Sequence, residues 1–423
     1  MTLDLAGVGI GPFNLSLAAL AEPVDGLRTA FFEREPEFRW HPGLMIEGAA
    51  LQVPFLADLV SLVQPAHPLS FLSYLRDRGR LFPFYFAERF HIPRAEYEDY
   101  CAWAARRVTN ARFGREVRAI RWAGDVFELD VEPGGPVRAR NVVLGVGTEP
   151  VLPEPLEHLA GERILHSADY LPARDRLLGV DDVTIVGSGQ SGAEVFLDLL
   201  RARPSGGLRW LTRTPAFAPM EYSKLGLEQF TPDYTRFFHG LDEQTRDRLV
   251  PAQWQLYKAI SADTIGAIHD ELYERTVGGG WPDVTLAPGV EVTAAAERAG
   301  RVELELRHVL QDRKATVTTD AVVCATGYRE RDLGELLGPL ADRIERDAAH
   351  RIAVDADYRV RLNTGGSLFV QNAERHTHGV GAPDLGLAAW RSARILNAVC
   401  GRAVYPLPER TAFTSFGLED LHE

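Results

Sequence analysis

The stretch that most constrains this chain runs from Asp181 to Gly192, in the middle of the sequence. Val183, Thr184, Ile185 and Val186 form a β-branched run of the kind that fills a buried parallel strand. It ends in Gly187-x-Gly189-x-x-Gly192, with Ser188, Gln190 and Ser191 between the glycines, and passes into an apolar helical pattern from Ala193 to Leu200. Strand, glycine turn and helix in that order are the context in which this motif binds a dinucleotide. Gly187 permits the tight turn, Gly189 lets backbone approach a pyrophosphate, and Gly192 lets helix and strand pack closely. The phosphates then meet unpaired N–H groups and the positive end of the helix dipole.

A second unit of this kind opens the chain. Leu3 to Val8 reads as a strand; Gly7-x-Gly9 matches the fingerprint, Gly11 follows, and Pro12 takes the place of the third glycine. Proline is tolerated there because the first turn of a helix leaves its N–H groups unpaired anyway. The next strand, Thr29 to Phe32, ends at Glu33, 26 positions after Gly7, near the spacing at which an acid accepts from a ribose hydroxyl. Two such units give an α/β fold with two Rossmann-like dinucleotide-binding domains, the second inserted in the first, and a small, mostly helical substrate region.

Composition sets the class around them. The chain has 423 residues, 45% hydrophobic and 25% charged, which is ordinary for a globular protein with two or three domains. A net charge of −13 argues against a nucleic-acid partner. No window approaches the about 18 uninterrupted apolar residues of a membrane span. No basic n-region precedes the first strand, so no secretory signal is visible. The three cysteines (Cys101, Cys324, Cys400) lack any CxxC and read as reduced small hydrophobes in a cytoplasmic protein.

Other stretches fill in the order. The apolar, aromatic segment from Arg39 to Val60 has no clean period and reads as the lining of an internal surface. Helices are expected at Phe71 to Gly79, Tyr97 to Arg107, Lys258 to Arg275 and Leu385 to Cys400. Strands are expected at Arg118 to Trp122, Val126 to Val131, Asn141 to Val146, Leu208 to Arg213 and Asp320 to Ala325. The strand Leu208 to Thr212 carries Arg213 at its end, where an NAD site carries an acid; a guanidinium there pairs with a 2′-phosphate, which favours NADPH. The boundaries that follow are 1–165 for the first part of the outer dinucleotide domain, 166–319 for the inserted NADPH domain with its substrate-region helices, 320–410 for the outer domain's return, and a loosely held tail at 411–423. His376 and His378 lack a third ligand nearby and read as backbone anchors rather than a metal site. The absence of CxxxxC after the first fingerprint disfavours a disulfide reductase.

Taken together, several motifs resemble the flavin-dependent N-hydroxylating monooxygenases of siderophore biosynthesis. They are Gly9-x-Gly11-Pro12-x-Asn14, Trp40-His41-Pro42-Gly43, Gln52-Val53-Pro54-Phe55-Leu56, Gly187 to Gly192, Cys324-Ala325-Thr326-Gly327-Tyr328 and Asn372-xxx-His376-Thr377-His378-Gly379. Cys324 departs from the family's Leu or Phe, a volume change within a strand. The resemblance implies FAD and NADPH as cofactors and hydroxylation of a primary amine through a C4a-hydroperoxyflavin, with O2 as co-substrate. It also implies a homo-oligomer, tetrameric in much of the family. By the same resemblance Trp40 and His41 pack under the flavin, Gln52 contacts its ring side, and Thr326, Gly327 and Tyr328 belong to the cofactor site. No dedicated catalytic base is required, since the cofactor carries the hard step.

The substrate reading rests on Phe55-Leu56-Ala57-Asp58-Leu59. In the lysine and ornithine hydroxylases that the chain resembles, the middle position is a lysine that pairs with the amino acid's carboxylate; here it is Ala57. A buried carboxylate without a counter-ion costs several kcal/mol. A diamine, putrescine or cadaverine, has none to satisfy, and Asp384-Leu385-Gly386 resembles the diamine-hydroxylating branch. L-Lysine or L-ornithine is the alternative, with an arginine such as Arg94 doing the pairing; a non-enzymatic flavin redox sensor is the third reading.

Overall fold

Leu5, Ala6 and Val8 bury on both faces of the strand Thr2–Val8, as a central parallel strand requires. In the computed structural model, which describes residues 2–203 and 205–418, this strand lies between the parallel strands Thr29–Glu33 and Val137–Leu144. Ala111–Phe113 extends the sheet on one side and Ser367–Val370 on the other, so a segment from late in the chain completes the first domain. Gly7 is small because a Cβ there would meet the Phe31 ring of the next strand at 2.0 Å. The helix Pro12–Ala21 is buried along its whole length, between the sheet and the helix Ala388–Cys400.

The second sheet is parallel throughout and runs Val284–Pro288, Gly207–Thr212, Asp182–Val186, Ala321–Cys324, Ile164–His166. The helix Gln190–Ala202 covers it through Val195, Phe196, Leu199 and Leu200. Trp210 stacks on Phe196 with ring centroids 4.9 Å apart, and its indole N–H donates to the Gly187 carbonyl at 2.7 Å, which pins the glycine turn to the core. An antiparallel sheet of Val290–Arg298, Arg301–His308 and Arg313–Thr319 packs on the other face through Val302, Leu304 and Leu306. The chain crosses between domains along Thr148–Pro150 and Tyr328–Glu330, which pair antiparallel.

Those pairings move the domain boundaries. Ile164–His166 and Ala321–Cys324 both hydrogen-bond inside the second sheet, so neither the break at 165/166 nor that at 319/320 stands. A buried apolar strand ending in glycine has the same pattern in either sheet; only its partner strand tells which sheet it joins. The antiparallel sheet between residues 290 and 319 was not expected; helices were expected in the inserted part, but the short ones between Lys224 and Tyr257 were not placed. The expected helix from Lys258 begins at Ala262, after the Ser261 cap, and that from Leu385 begins at Ala388, after a 3-10 turn. The tail is not loose where it is described. Thr411 and Ala412 donate to the Asp233 carboxylate, Thr414 donates to Glu228, and Phe416 packs its ring 5.0 Å from Tyr234. Residues 419–423 lie outside the described residues.

Candidate active site between two glycine turns

At the first turn Gly9 takes φ 83°, and a Cβ there would come within 2.5 Å of the Gly145 carbonyl oxygen. Gly11 caps the helix with no side-chain bond, and a Cβ there would meet nothing within 4 Å. Asn14 knits the strand ends together: its Nδ2 donates to the Val8 and Gly9 carbonyls at 3.1 and 2.9 Å, and its Oδ1 accepts from Gln371 at 2.8 Å. Gln371 was not anticipated; it comes from the end of the late strand. Glu33 stands at the end of the second strand, where its carboxylate accepts from the Ile10 N–H at 2.8 Å and the Glu35 N–H at 3.0 Å. It is thus tied to the glycine turn.

The second turn repeats the logic. Gly187 takes φ 119° with a Cβ position 2.2 Å from the Ala325 carbonyl oxygen, and a Cβ on Gly192 would sit 2.5 Å from the Gly187 oxygen. Gly189 has an ordinary extended backbone, no capping side chain, and a Cβ position whose nearest neighbour is the Lys258 oxygen at 3.4 Å. Both turns therefore fit a dinucleotide: an open glycine precedes a helix whose first N–H groups no side chain caps. Ser188 bonds Thr214 at 3.0 Å, and Ser191 lies part-exposed in the first helical turn. Gln190 is committed to structure, since its amide donates to Glu194 and Thr264 and accepts from the Ser261 N–H. Arg213 is exposed directly after the strand Gly207–Thr212. Lys258, also exposed, stands near it: desolvation, then Arg375, then Arg213 hold its ammonium below the usual value. Nothing in local sequence spacing pairs Lys258 with Arg213, because a long excursion separates them.

An aromatic wall stands where the two domains touch. Trp40 packs edge-on against Tyr97 at 5.1 Å and His41 at 5.2 Å, and His41 against Tyr328 at 5.7 Å. Surrounding protein, and secondarily the Arg94 charge, push the His41 imidazole down to about 4, although the ring keeps access to solvent. It is neutral at physiological pH. Gly43 lies against the Ala168 carbonyl, so this turn of the first domain touches the second. Thr326 donates to the Val151 carbonyl and Gly327 accepts from the Val151 N–H at 3.0 Å, which places both at the crossing between domains. Among the described residues the buried Tyr328 hydroxyl has no hydrogen-bond partner.

Two further bridges were missed in the sequence. Arg94 forms a 2.9 Å ion pair with Glu194, at the start of the helix that follows the second glycine turn. Tyr222 donates to the Gln52 side-chain oxygen at 2.6 Å and reaches the Gln52 carbonyl at 3.2 Å. Gln52 thus joins the long apolar loop to the inserted domain. In that loop Ala57 is 5% exposed, and Asp58 accepts from the Val60, Ser61 and Phe71 N–H groups. Leu385 packs into the first core and Gly386 donates to Asp384 at 2.7 Å. His376 bonds the Ile352 carbonyl at 2.8 Å, while His378 bonds Thr377 at 2.9 Å and stacks on Tyr358.

Two dinucleotide folds that meet where His41 packs on Tyr328 and Gly43 on Ala168 define a two-nucleotide oxidoreductase. The chain belongs to the L-lysine 6-monooxygenase/L-ornithine 5-monooxygenase family, whose profile matches residues 1–330. It is 46% identical to the rhizobactin siderophore biosynthesis protein RhbE of Rhizobium meliloti, covering 98% of this chain and 95% of that one. It is 40% identical to the putrescine N-hydroxylase of Shewanella oneidensis, over 98% and 84% of the two chains. Among solved structures, the cadaverine monooxygenase DfoA of Erwinia amylovora, bound to FAD and from a desferrioxamine biosynthetic pathway, superposes with a TM-score of 0.94 at 39% identity, covering 99% of each chain.

Proposed function

We propose that this chain N-hydroxylates one terminal amine of an aliphatic diamine, putrescine or cadaverine, for hydroxamate siderophore assembly. The overall reaction consumes amine, O2, NADPH and a proton, and yields hydroxylamine, water and NADP+. The observation that carries the substrate class is the missing cation. Ala57 is apolar and buried, and Arg94, the arginine named above as the alternative partner, is already paired with Glu194. An amino acid's carboxylate would enter without a partner, at a cost of several kcal/mol. Relatives at 40% and 39% identity that act on putrescine and cadaverine support the same class.

Bound FAD supplies the redox chemistry, accepting a hydride from NADPH and activating O2. The chain's own residues bind, orient and exclude water. Gly7, Gly9, Gly11 and the helix from Pro12 hold the FAD pyrophosphate, and Glu33 its ribose. Trp40, His41 and Gln52 stand on the ring side, His41 as a neutral group. Gly187, Gly189, Gly192 and their helix hold NADPH, with Arg213 and Lys258 at its 2′-phosphate. Exclusion of water favours the neutral amine, which is the nucleophile, and suppresses loss of H2O2. We place the enzyme in the cytoplasm as a homo-oligomer, the tetramer of the resembled family. The helix Leu81–Ala87 supports this, since Phe82, Tyr85 and Phe86 are 77%, 72% and 75% exposed.

The test is an amine panel with hydroxylamine, not NADPH oxidation, as the readout. Coupled product from putrescine or cadaverine and little from L-lysine or L-ornithine is expected. The reverse pattern overturns the diamine class, and full uncoupling with every amine returns the redox-sensor reading.

A further inference from the structure

Flavin reduction needs the nicotinamide held by one domain to meet the flavin ring held by the other. The reacting atoms must come to about 3–3.5 Å, and a misplacement of about 1 Å costs about a hundredfold in rate. The two glycine turns end strands of different sheets, so contacts between the domains must fix their distance and angle.

The helix Arg94–Ala105 of the outer domain supplies such a contact. It holds the turn from Trp40 to Leu44 at three points. The Trp40 N–H donates to Glu98 at 2.9 Å, the Trp40 ring packs on Tyr97, and Arg94 Nη1 reaches the Leu44 carbonyl at 3.4 Å. The same guanidinium crosses to the inserted domain. Its Nη2 donates to Glu194 Oε1 at 2.9 Å and its Nη1 stands 2.9 Å from Oε2, a two-point fork on one carboxylate. Glu194 lies in the second turn of the helix that follows the open Gly189, and it also accepts from Gln190 at 2.9 Å. Only 13% of the Arg94 side chain and 6% of that of Glu194 are exposed, so the pair is buried.

Stability alone does not call for this arrangement, since well-packed apolar side chains of similar volume do as well or better in a buried position. What apolar contacts lack is direction. Leu44, Ile46 and Ala49 already pack among Val183, Ile185 and Ala193 of the inserted domain, and a contact of that kind tolerates sliding. A fork fixes distance and angle together. We propose that Arg94 and Glu194 are a positioning pair for hydride transfer, registering the helix that carries NADPH against the turn that carries Trp40 and His41. The inference rests on the placement of FAD at the first glycine turn and NADPH at the second. It is independent of which amine is oxidised.

The experiment is anaerobic reduction of the FAD-loaded protein by NADPH, without amine, followed by stopped-flow loss of flavin absorbance. Glu194→Gln removes the charge with little change of shape. The double variant Arg94→Met/Glu194→Met removes the pair and leaves neither charge buried alone. In both, the reduction rate at saturating NADPH should fall by about tenfold or more, with an isotope effect from 4-deuterated NADPH at least as large as in wild type. FAD content should be unchanged, and the Kd for NADP+ should stay within about threefold. A double variant that is reduced within about threefold of the wild-type rate overturns the proposal. A deficit confined to the Kd for NADP+ also overturns it and makes the pair part of the binding site. Loss of FAD from both variants assigns the pair to the fold, with the same consequence. A wild type whose bound flavin is not reduced by NADPH overturns the placement of the two cofactors, and this inference with it.

Discussion

At the residue scale, the two open glycines, Gly11 and Gly189, and the closed ones make different demands. Gly187→Ala must strain a φ of 119° and drive a Cβ to 2.2 Å from a carbonyl oxygen, so it should damage the inserted domain itself. Gly189→Val meets only an ordinary contact at 3.4 Å, so the protein should fold, remain yellow and lose NADPH binding. Loss of both cofactors from Gly189→Val would contradict this. Arg213→Ala should raise the KM for NADPH by roughly tenfold or more and leave that for NADH nearly unchanged, because only the phosphate needs the cation. An unchanged NADPH/NADH ratio removes Arg213 from the site.

Elements were legible where a local rule governs them. The strands and helices around Gly9 and Gly187 follow from a turn that tolerates only glycine and an apolar run long enough for one strand. The stretch from Asp320 to Thr326 obeys the same rule and was nonetheless assigned to the wrong domain, since pairing to Asp182–Val186 is a tertiary choice. The helices between Lys224 and Tyr257 are short and hold by caps from Ser223, Thr231 and Asp242, so their periodicity is too brief to read. The tail shows how these helices are kept on the first domain. Burial alone would raise the Asp233 carboxyl, and the bonds from Thr411 and Ala412 with the Arg236 charge outweigh it and hold it below the usual value. That clamp contributes stability above the unfolded carboxylate pKa and loses it only in acid. Truncation after Arg410 should therefore speed hydrogen exchange in residues 228–252 while FAD stays bound. Unchanged exchange there would show that the tail holds nothing.

On the scale of the whole molecule, the chain is two nucleotide folds joined by a pair of crossing strands and latched by contacts that sequence spacing does not reveal. Arg94 to Glu194 and Gln52 to Tyr222 each join residues separated by about a hundred positions or more. The glycine turns and the place of Glu33 at its strand end were legible because their geometry is local; the contacts of Gln371 with Asn14 and of Tyr222 with Gln52 were not, because only the fold makes them. The same limit applies to the substrate: Ala57 indicated which charge is absent, and the structure was needed to see that Arg94 is already committed. The central claim is that this assembly hydroxylates a diamine. The most direct measurement offers holoenzyme, NADPH and 18O2 an equimolar mixture of putrescine, cadaverine, L-lysine and L-ornithine, and identifies products by mass. The account predicts singly 18O-labelled N-hydroxyputrescine or N-hydroxycadaverine as the dominant product. Labelled N6-hydroxylysine or N5-hydroxyornithine in its place, or hydrogen peroxide alone, would contradict it.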